Sequence, residues 1–235
     1  MSMLTCIQYM CRRTNVPVPS TVYGTTDPQV LQMMALLEEE GNDLSSRGAW
    51  EGITLETNFT TLAAESQGAI ATLASGYRYI INNTIWDRTT RLPVCGPMDA
   101  SDWQAMKAFT NTGPRFRFRI RNGLLIVNPV PSAGDSWYFE YVTKNWITDS
   151  SGVTYKNYFT ADTDLIVLPE ELVLTGLRWR WKKEKGLDYA EDFRTYEMQV
   201  KDALGRSGMK RHLWMDETPR RGPQPGVWIP DGSWI

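Results

Sequence analysis

The chain of 235 residues carries 25 lysines and arginines against 27 aspartates and glutamates, which gives a formal net charge of −2 at pH 7. An apolar content of 42% and a charged content of 22% are ordinary for a packed protein, so they exclude wholesale disorder and collagen-like or low-complexity architectures. The near-neutral charge also argues against a general nucleic-acid coat, because binding to phosphates needs a clear excess of positive charge.

No stretch approaches the roughly 20 consecutive apolar residues that a membrane-spanning helix needs, so we expect no membrane partner. The first residues are mildly apolar, but the basic pair Arg12 and Arg13 follows them, which is the reverse of a secretory signal peptide. Cys6, Cys11 and Cys95 have neither a metal-binding spacing nor an even disulfide framework. We interpret the three cysteines as reduced packing residues.

The first 49 residues are predicted to form a helical hairpin. One helix covers about residues 3–13. The next begins after Asp27, a good N-cap residue, with Pro28 at the first helical position, and its apolar residues recur at helical spacing. We expect this second helix to end at Gly41.

A β-rich domain is predicted over residues 50–168, because the apolar period changes there from about 3.6 residues to 2. One short helix, capped by Asp99, interrupts the strands. The clearest strands flank Asn122-Gly123, which is a strong two-residue hairpin turn. A third strand over residues 137–143 is expected to complete an antiparallel meander.

Four arginines alternate with apolar residues along the first strand of that hairpin, so they share one face of the sheet. This arginine ladder consists of Arg115, Arg117, Arg119 and Arg121. A row of guanidinium groups can meet phosphates or carboxylates. Three interpretations stay open: a solvated sheet face that includes pairing with Glu140, a contact with a protein partner, and a contact with DNA.

Two helices are predicted over residues 169–206, with Gly186 between them. On a helical wheel, the first of the two carries its main apolar stripe through Leu177 and Trp181. Leu172 and Trp179 lie on nearly the opposite side of that helix. Because one side packs within the chain, we expect Leu172 and Trp179 to lie at an interface with a neighbouring subunit.

Residues 207–235 are predicted to form an extended arm, because repeated prolines and glycines prevent a helix or a central strand. The arm nevertheless contains three tryptophans, whereas free disordered tails are poor in aromatic residues. We therefore interpret it as a docking arm whose partner lies elsewhere. Its apolar anchors are Trp228, Ile229, Trp234 and Ile235.

The sequence contains no recognisable catalytic, metal-binding or cofactor-binding pattern. Glycine loops for nucleotides, the zinc-protease helix and paired CxxC spacings are all missing. The single histidine, His212, lies beside basic residues at the edge of the arm, and a turn explains Asp162 and Asp164. The sequence therefore predicts an interaction protein that takes part in an assembly. We expect no enzymatic activity, no bound metal and no cofactor.

Several stretches of the chain resemble the head-to-tail adaptor, or connector, proteins of short-tailed bacteriophages. They are GYRYIINNTIWDRTTR at residues 76–91, TGPRFRFRIR at 112–121, FTADTD at 159–164, WRWK at 179–182 and GLDYAEDF at 186–193. The resemblance covers most of the chain up to about Leu204. These strings are not chemical motifs, so they indicate a family and supply no catalytic site.

The resemblance implies an α+β fold, in which a helical bundle made of the N-terminal hairpin and the two C-terminal helices carries an inserted antiparallel β domain. It also implies a homo-oligomeric ring, commonly a dodecamer, that assembles in the host cytoplasm and lies in the virion neck below the portal protein. Such a ring extends the channel for the genomic DNA and mounts the tail nozzle and tail fibre proteins. The family's C-terminal arms reach the portal or neighbouring subunits, a role that falls here on the four apolar anchors.

Two other classes of protein remain as alternatives. A tail-associated, β-rich module would bind glycans through exposed aromatic side chains. A DNA-binding protein would use the arginine ladder, and its affinity for DNA would fall as the salt concentration rises.

Overall fold

The computed structural model describes residues 1–108 and 115–207, with helices near both ends of this part and antiparallel strands between them. The helices are α1 (Met3–Thr14), α2 (Pro28–Ser46), α3 (Ile70–Leu73), α4 (Ala100–Ala108), α5 (Glu170–Glu184) and α6 (Ala190–Ser207). The strands are β1 (Thr54–Thr60), β2 (Ser66–Ala69), β3 (Tyr77–Ile80), β4 (Trp86–Asp87), β5 (Leu92–Pro93), β6 (Arg117–Arg121), β7 (Leu124–Asn128), β8 (Ser136–Thr143), β9 (Ile147–Thr148), β10 (Tyr155–Lys156) and β11 (Leu165–Ile166). None of these helices is long and apolar enough to cross a membrane.

The second helix begins as predicted. The side chain of Asp27 accepts a hydrogen bond of 2.9 Å from the backbone N–H of Gln29, and Pro28 occupies the first helical position, where its missing N–H costs nothing. The first helix ends at Asn15, whose φ of 57° is the left-handed conformation that often terminates a helix. Both predicted N-terminal helices are confirmed.

The prediction that α2 ends at Gly41 is wrong, because the helix continues to Ser46. Gly41 instead allows a close contact: a Cβ atom at this position would lie 2.3 Å from ring carbons of Trp146. The Trp146 indole is fully buried, and its Nε1 donates a hydrogen bond of 3.0 Å to Asn42 Oδ1. Burial of the large ring outweighs the roughly 1 kcal/mol that a glycine costs inside a helix.

Within the described residues, three antiparallel sheets follow the N-terminal helices. The largest has the order β1-β8-β4-β5, and β3 also pairs with β8. The second has the order β2-β7-β6, and the third has the order β10-β9-β11. The predicted hairpin turn is confirmed, since Asn122 and Gly123 join β6 to β7 with φ angles of 51° and 71°.

The predicted meander is not formed. Strand β8 pairs with β1, β3 and β4, whereas the second edge of β7 pairs with β2. Pro129 and Pro131 follow β7, and because proline donates no backbone hydrogen bond, a tight hairpin from β7 into β8 is disfavoured. The chain therefore passes from one sheet to another at this point.

In the part of the chain that the structure describes, two hydrophobic clusters form the core. The larger one joins α1, α2, α5 and α6 with Trp146 and Ile147, and the smaller one fills the space between β strands. Phe118, Leu125 and Val127 are all buried in the smaller cluster, as the alternation along the hairpin predicts. The sheets thus have their own core beside the core of the helices.

The last two helices pack against the first two, so the predicted fold class is confirmed: an α+β fold, with antiparallel sheets inserted between N-terminal and C-terminal helices. Gly186, with a φ of 66°, follows the end of α5. The side chain of Asp188 then accepts a hydrogen bond of 3.2 Å from the N–H of Ala190, the first residue of α6. Beyond Ser207 the predicted arm lies outside the described residues, with its anchors Trp228, Ile229, Trp234 and Ile235.

The three cysteines are free thiols in two different environments. Cys6 and Cys11 are buried in the helical core, which agrees with a packing role, and burial raises the pKa of the Cys6 thiol to about 12. Cys95 is exposed. It lies beside the edge of β6, where it forms an isolated parallel bridge with Arg117.

We predict that Gly41→Ala destabilises the protein by about 2 kcal/mol, because the added methyl group collides with the rigid Trp146 ring. Gly205→Ala in α6 is the matched control. A Cβ atom at Gly205 would meet nothing within 4 Å, so the higher helix propensity of alanine should stabilise the protein by about 0.5 kcal/mol. Urea denaturation followed by circular dichroism measures both changes, and equal effects of the two substitutions would contradict the contact.

Candidate functional site

The arginine ladder lies on one face of the β6–β7 hairpin. Arg115, Arg117 and Arg121 are exposed, and Arg119 is half-buried. In the part of the chain that the structure describes, none of these four groups forms an ion pair with a carboxylate. Pairing with Glu140 is not observed, because Glu140 belongs to β8 in a different sheet.

The centre of the ladder is covered. Ile126 lies directly opposite Arg119 on β7 and is only 4% exposed. Nη1 of Arg119 lies 3.5 Å from the carbonyl oxygen of Asp99, the residue before α4, and Lys107 of α4 forms an ion pair of 2.6 Å with Glu65. The exposed cationic surface is thus smaller than the sequence suggests. It consists of Arg115, Arg117 and Arg121.

Leu172 and Trp179 lie in the chain's own core, not on a free face of α5. They are 4% and 7% exposed. The ring centroid of Trp179 is 5.0 Å from that of Phe193 and 6.1 Å from that of Tyr196, and both of these residues belong to α6. At Trp179, the second apolar face of α5 is therefore covered by the next helix of the same chain. The expectation that Leu172 and Trp179 meet a neighbouring subunit is corrected on this ground.

A buried ion network joins α2 to α5, and the sequence analysis did not predict it. Arg180 Nε donates to Glu40 Oε2 at 2.7 Å, and Arg180 Nη2 donates to Asp43 Oδ2 at 3.0 Å. The remaining amino group of Arg180 pairs with Glu39. Glu40 is fully buried, and Arg180 is 7% exposed. A buried arginine therefore bridges three carboxylates of one helix.

The network also includes α6. The hydroxyl of Tyr196 donates a hydrogen bond of 2.5 Å to Glu40 Oε1, and Arg47 forms ion pairs with Asp43 at 2.9 Å and with Glu197 at 2.6 Å. Burial raises the pKa of Glu40, although Arg180 and Tyr196 act in the opposite direction. Because every partner of Glu40 is another side chain of the fold, this network is a structural connection.

A groove of about 1160 Å³ lies beside the start of α5 and the end of α6, and we call it the α5–α6 groove. Three segments line it: residues 50–52, residues 166–172 and one face of α6. The lining residues of α6 are Gln199, Asp202, Ala203, Arg206 and Ser207. Leu172, which sequence analysis assigned to an interface, forms part of its floor.

A smaller cleft of about 290 Å³ lies on the largest sheet, where aromatic and acidic side chains meet. Glu56 and Glu140 are direct cross-strand neighbours in this cleft, and Arg88 pairs with Glu56. The guanidinium of Arg88 lies 3.5 Å from the centre of the Tyr138 ring. One face of that ring is therefore already occupied, so the cleft offers little support for glycan stacking on Tyr138.

Asp162 and Asp164 have structural partners. Asp162 Oδ1 accepts hydrogen bonds from the backbone N–H groups of Val22 and Tyr23, at 3.0 and 2.7 Å. Burial opposes ionisation of Asp164, but hydrogen bonds from Lys156 and from the backbone outweigh it and lower the pKa of this carboxyl. In residues 1–108 and 115–207, no group of three or more His, Cys, Asp or Glu side chains could hold a metal ion.

Comparison with known proteins adds no assignment to these surfaces. No protein-family model matches the chain, and no curated protein matches it in sequence. The function of the chain therefore has to be inferred from its own sequence and surfaces.

We predict that Arg180→Ala destabilises the protein by about 3 kcal/mol or more, because Glu40 would be left in the core without its cation. Arg178→Ala is the matched control, since Arg178 lies two residues away on α5 and forms only a surface ion pair with Asp192, worth less than about 1 kcal/mol. Urea denaturation at pH 7 measures both variants. Equal losses would contradict a special role for the network.

The cost of Arg180→Ala should also depend on pH. Burial raises the pKa of Glu40 above that of the unfolded chain, so the folded state binds more protons, and stability falls as the pH rises through the folded pKa. Loss of Arg180 strengthens this effect. The difference between the variant and the parent protein should therefore shrink as the pH is lowered, and a constant difference would mean that Glu40 does not take up the proton.

Proposed function

We propose that this chain is a structural virion protein, a head-to-tail adaptor that forms a ring below the portal of a short-tailed bacteriophage. The observation that carries the proposal is the order of its elements. Helices α1 and α2 pack with α5 and α6, and antiparallel sheets are inserted between the two pairs. This is the architecture that the resemblance in sequence implies for the adaptor family.

A closed ring needs two different surfaces on each subunit, because one subunit meets the next through unlike faces. Exposed apolar side chains in the turn between α5 and α6 and at the start of α6 provide one such surface. Leu187, Tyr189 and Phe193 are 55%, 38% and 39% exposed there. These residues replace Leu172 and Trp179 as our candidates for the contact between subunits.

The partners in this proposal are further copies of the chain, the portal protein, the tail nozzle and fibre proteins, and the genomic DNA in the channel. The portal contact is assigned to the arm and to its anchors Trp228, Ile229, Trp234 and Ile235, which lie outside the described residues. Ordering an arm costs conformational entropy that burial of its tryptophans repays, so docking depends on the partner. The ring would then form where a portal is present.

The test compares the purified protein alone with the protein mixed with portal rings of the same virus, by light scattering and negative-stain imaging. We expect rings attached to the portal. Deletion of residues 226–235 should leave the circular dichroism spectrum unchanged and weaken co-sedimentation with the portal, because the anchors are lost. Unchanged co-sedimentation would refute the role of the arm, and failure of the full chain to bind any portal would refute the adaptor function.

DNA binding is the second candidate function, and one observation favours it: Arg115, Arg117 and Arg121 are exposed and have no carboxylate partner in the part of the chain that the structure describes. Replacing all three with alanine should weaken binding to duplex DNA and reduce the slope of log K against log salt by about 3. The control removes three exposed charges elsewhere, at Arg12, Arg13 and Lys201. Equal effects of the two sets would mean that the ladder is not the binding surface.

A further inference from the structure

We propose that residues 210–215 fold back after α6 and occupy the α5–α6 groove of the same molecule. This segment, Lys-Arg-His-Leu-Trp-Met, lies outside the described residues. It is distinct from the four anchors at the end of the arm. The inference goes beyond the adaptor function and does not rest on it, because groove and segment belong to one chain.

The groove has an apolar floor and an acidic rim. Its floor includes Trp50, Leu168 and Leu172, which belong to the helical core. Its rim carries four carboxylates and one guanidinium group: Glu51, Glu170, Glu171, Asp202 and Arg206. Glu170 already pairs with the N-terminal ammonium group, whereas no ion pair involves Glu51, Glu171 or Asp202 within residues 1–108 and 115–207.

The segment that follows α6 has the complementary pattern. Lys210 and Arg211 come first and carry positive charge, and Leu213 and Trp214 follow with large apolar side chains. Basic side chains on the acidic rim would gain electrostatic attraction, and burial of a tryptophan over the apolar floor would gain hydrophobic free energy. Both features of the groove are matched within six consecutive residues.

The chain is long enough to make this contact. Ser207 is the last residue of α6 and itself lines the groove, which extends back along the helix to Gln199. Eight residues of helix span about 12 Å. Six residues from Ser207 to Leu213 reach about 20 Å when extended, and Gly208 is the residue type that most readily allows a reversal after a helix. The segment can therefore cover the groove without strain.

The short connection to α6 favours residues 210–215 as the occupant of the groove over the end of the arm and over a second copy of the chain. A segment that begins at the rim of the groove has a high effective concentration there, whereas the distal anchors Trp228 and Ile229 are separated from the groove by a long stretch rich in proline and glycine. A second copy of the chain would have to supply the same segment at its solution concentration. The two alternatives are therefore outcomes of the test.

The test measures hydrogen–deuterium exchange in the full chain at residues 166–172 and 199–207. We expect Trp214→Asp to raise exchange in both regions by about tenfold, because it removes the apolar contact that covers them. Trp228→Asp is the matched control and should leave exchange unchanged. Trp214→Phe should retain most of the protection, and circular dichroism shows whether each variant is folded.

Three results of this measurement would overturn the proposal. The first is unchanged exchange in Trp214→Asp. The second is a rise in Trp228→Asp instead, which would assign the groove to the end of the arm. The third is protection that disappears on dilution, which would assign it to another copy of the chain. None of these measurements uses a portal, so a result that refutes the contact in the groove leaves the adaptor function untouched.

Exchanging the charges of Asp202 and Arg211 tests whether the basic end of the segment lies on the rim formed by α6. Asp202→Arg and Arg211→Asp should each raise exchange in residues 199–207, since each places like charges together. The double variant should restore protection, because the ion pair is formed again with its signs reversed. Additive losses in the double variant would overturn the proposed contact between the basic residues and the rim.

Discussion

The helical part of this protein depends on the buried pair of Arg180 and Glu40. The two residues are 140 positions apart in the sequence, on α5 and α2, so their contact closes the chain around everything between them. Neither charge can remain in the core without the other, because an unpaired buried ion costs several kcal/mol. The sheets are thus inserted between two elements that are held by charge as well as by apolar packing.

Two glycines make the close packing around α2 possible. Gly176 of α5 leaves room for the Glu40 carboxyl group, since a Cβ atom there would lie 2.1 Å from it. The next residue of α2, Gly41, leaves room for the Trp146 ring. Consecutive residues of a helix point about 100° apart, so α2 contacts α5 with one side and the segment after β8 with another. Two sides of this helix are therefore packed within the helical core.

Local signals predicted much of the fold, and long-range contacts explain the rest. Asp27 and the Asn122-Gly123 turn act through a cap or a backbone angle within a few residues, so the sequence alone locates them. The cover over Trp179 comes from a separate helix, and Glu40 is one of three consecutive glutamates with no local sign of burial. In the candidate site, the alternation of arginines with apolar residues was enough to predict that the arginine ladder shares one face of the sheet. The residues that cover the centre of the ladder come from other segments, so the sequence did not predict them.

The environments of the three thiols give this molecule a natural point of attachment for a probe. Cys6 and Cys11 are enclosed by the helical core, whereas Cys95 is exposed beside Arg117. Thiolate character and access govern reaction with maleimides, so a dye would enter at Cys95 without any engineered cysteine. Its emission would respond to whatever covers the arginine surface.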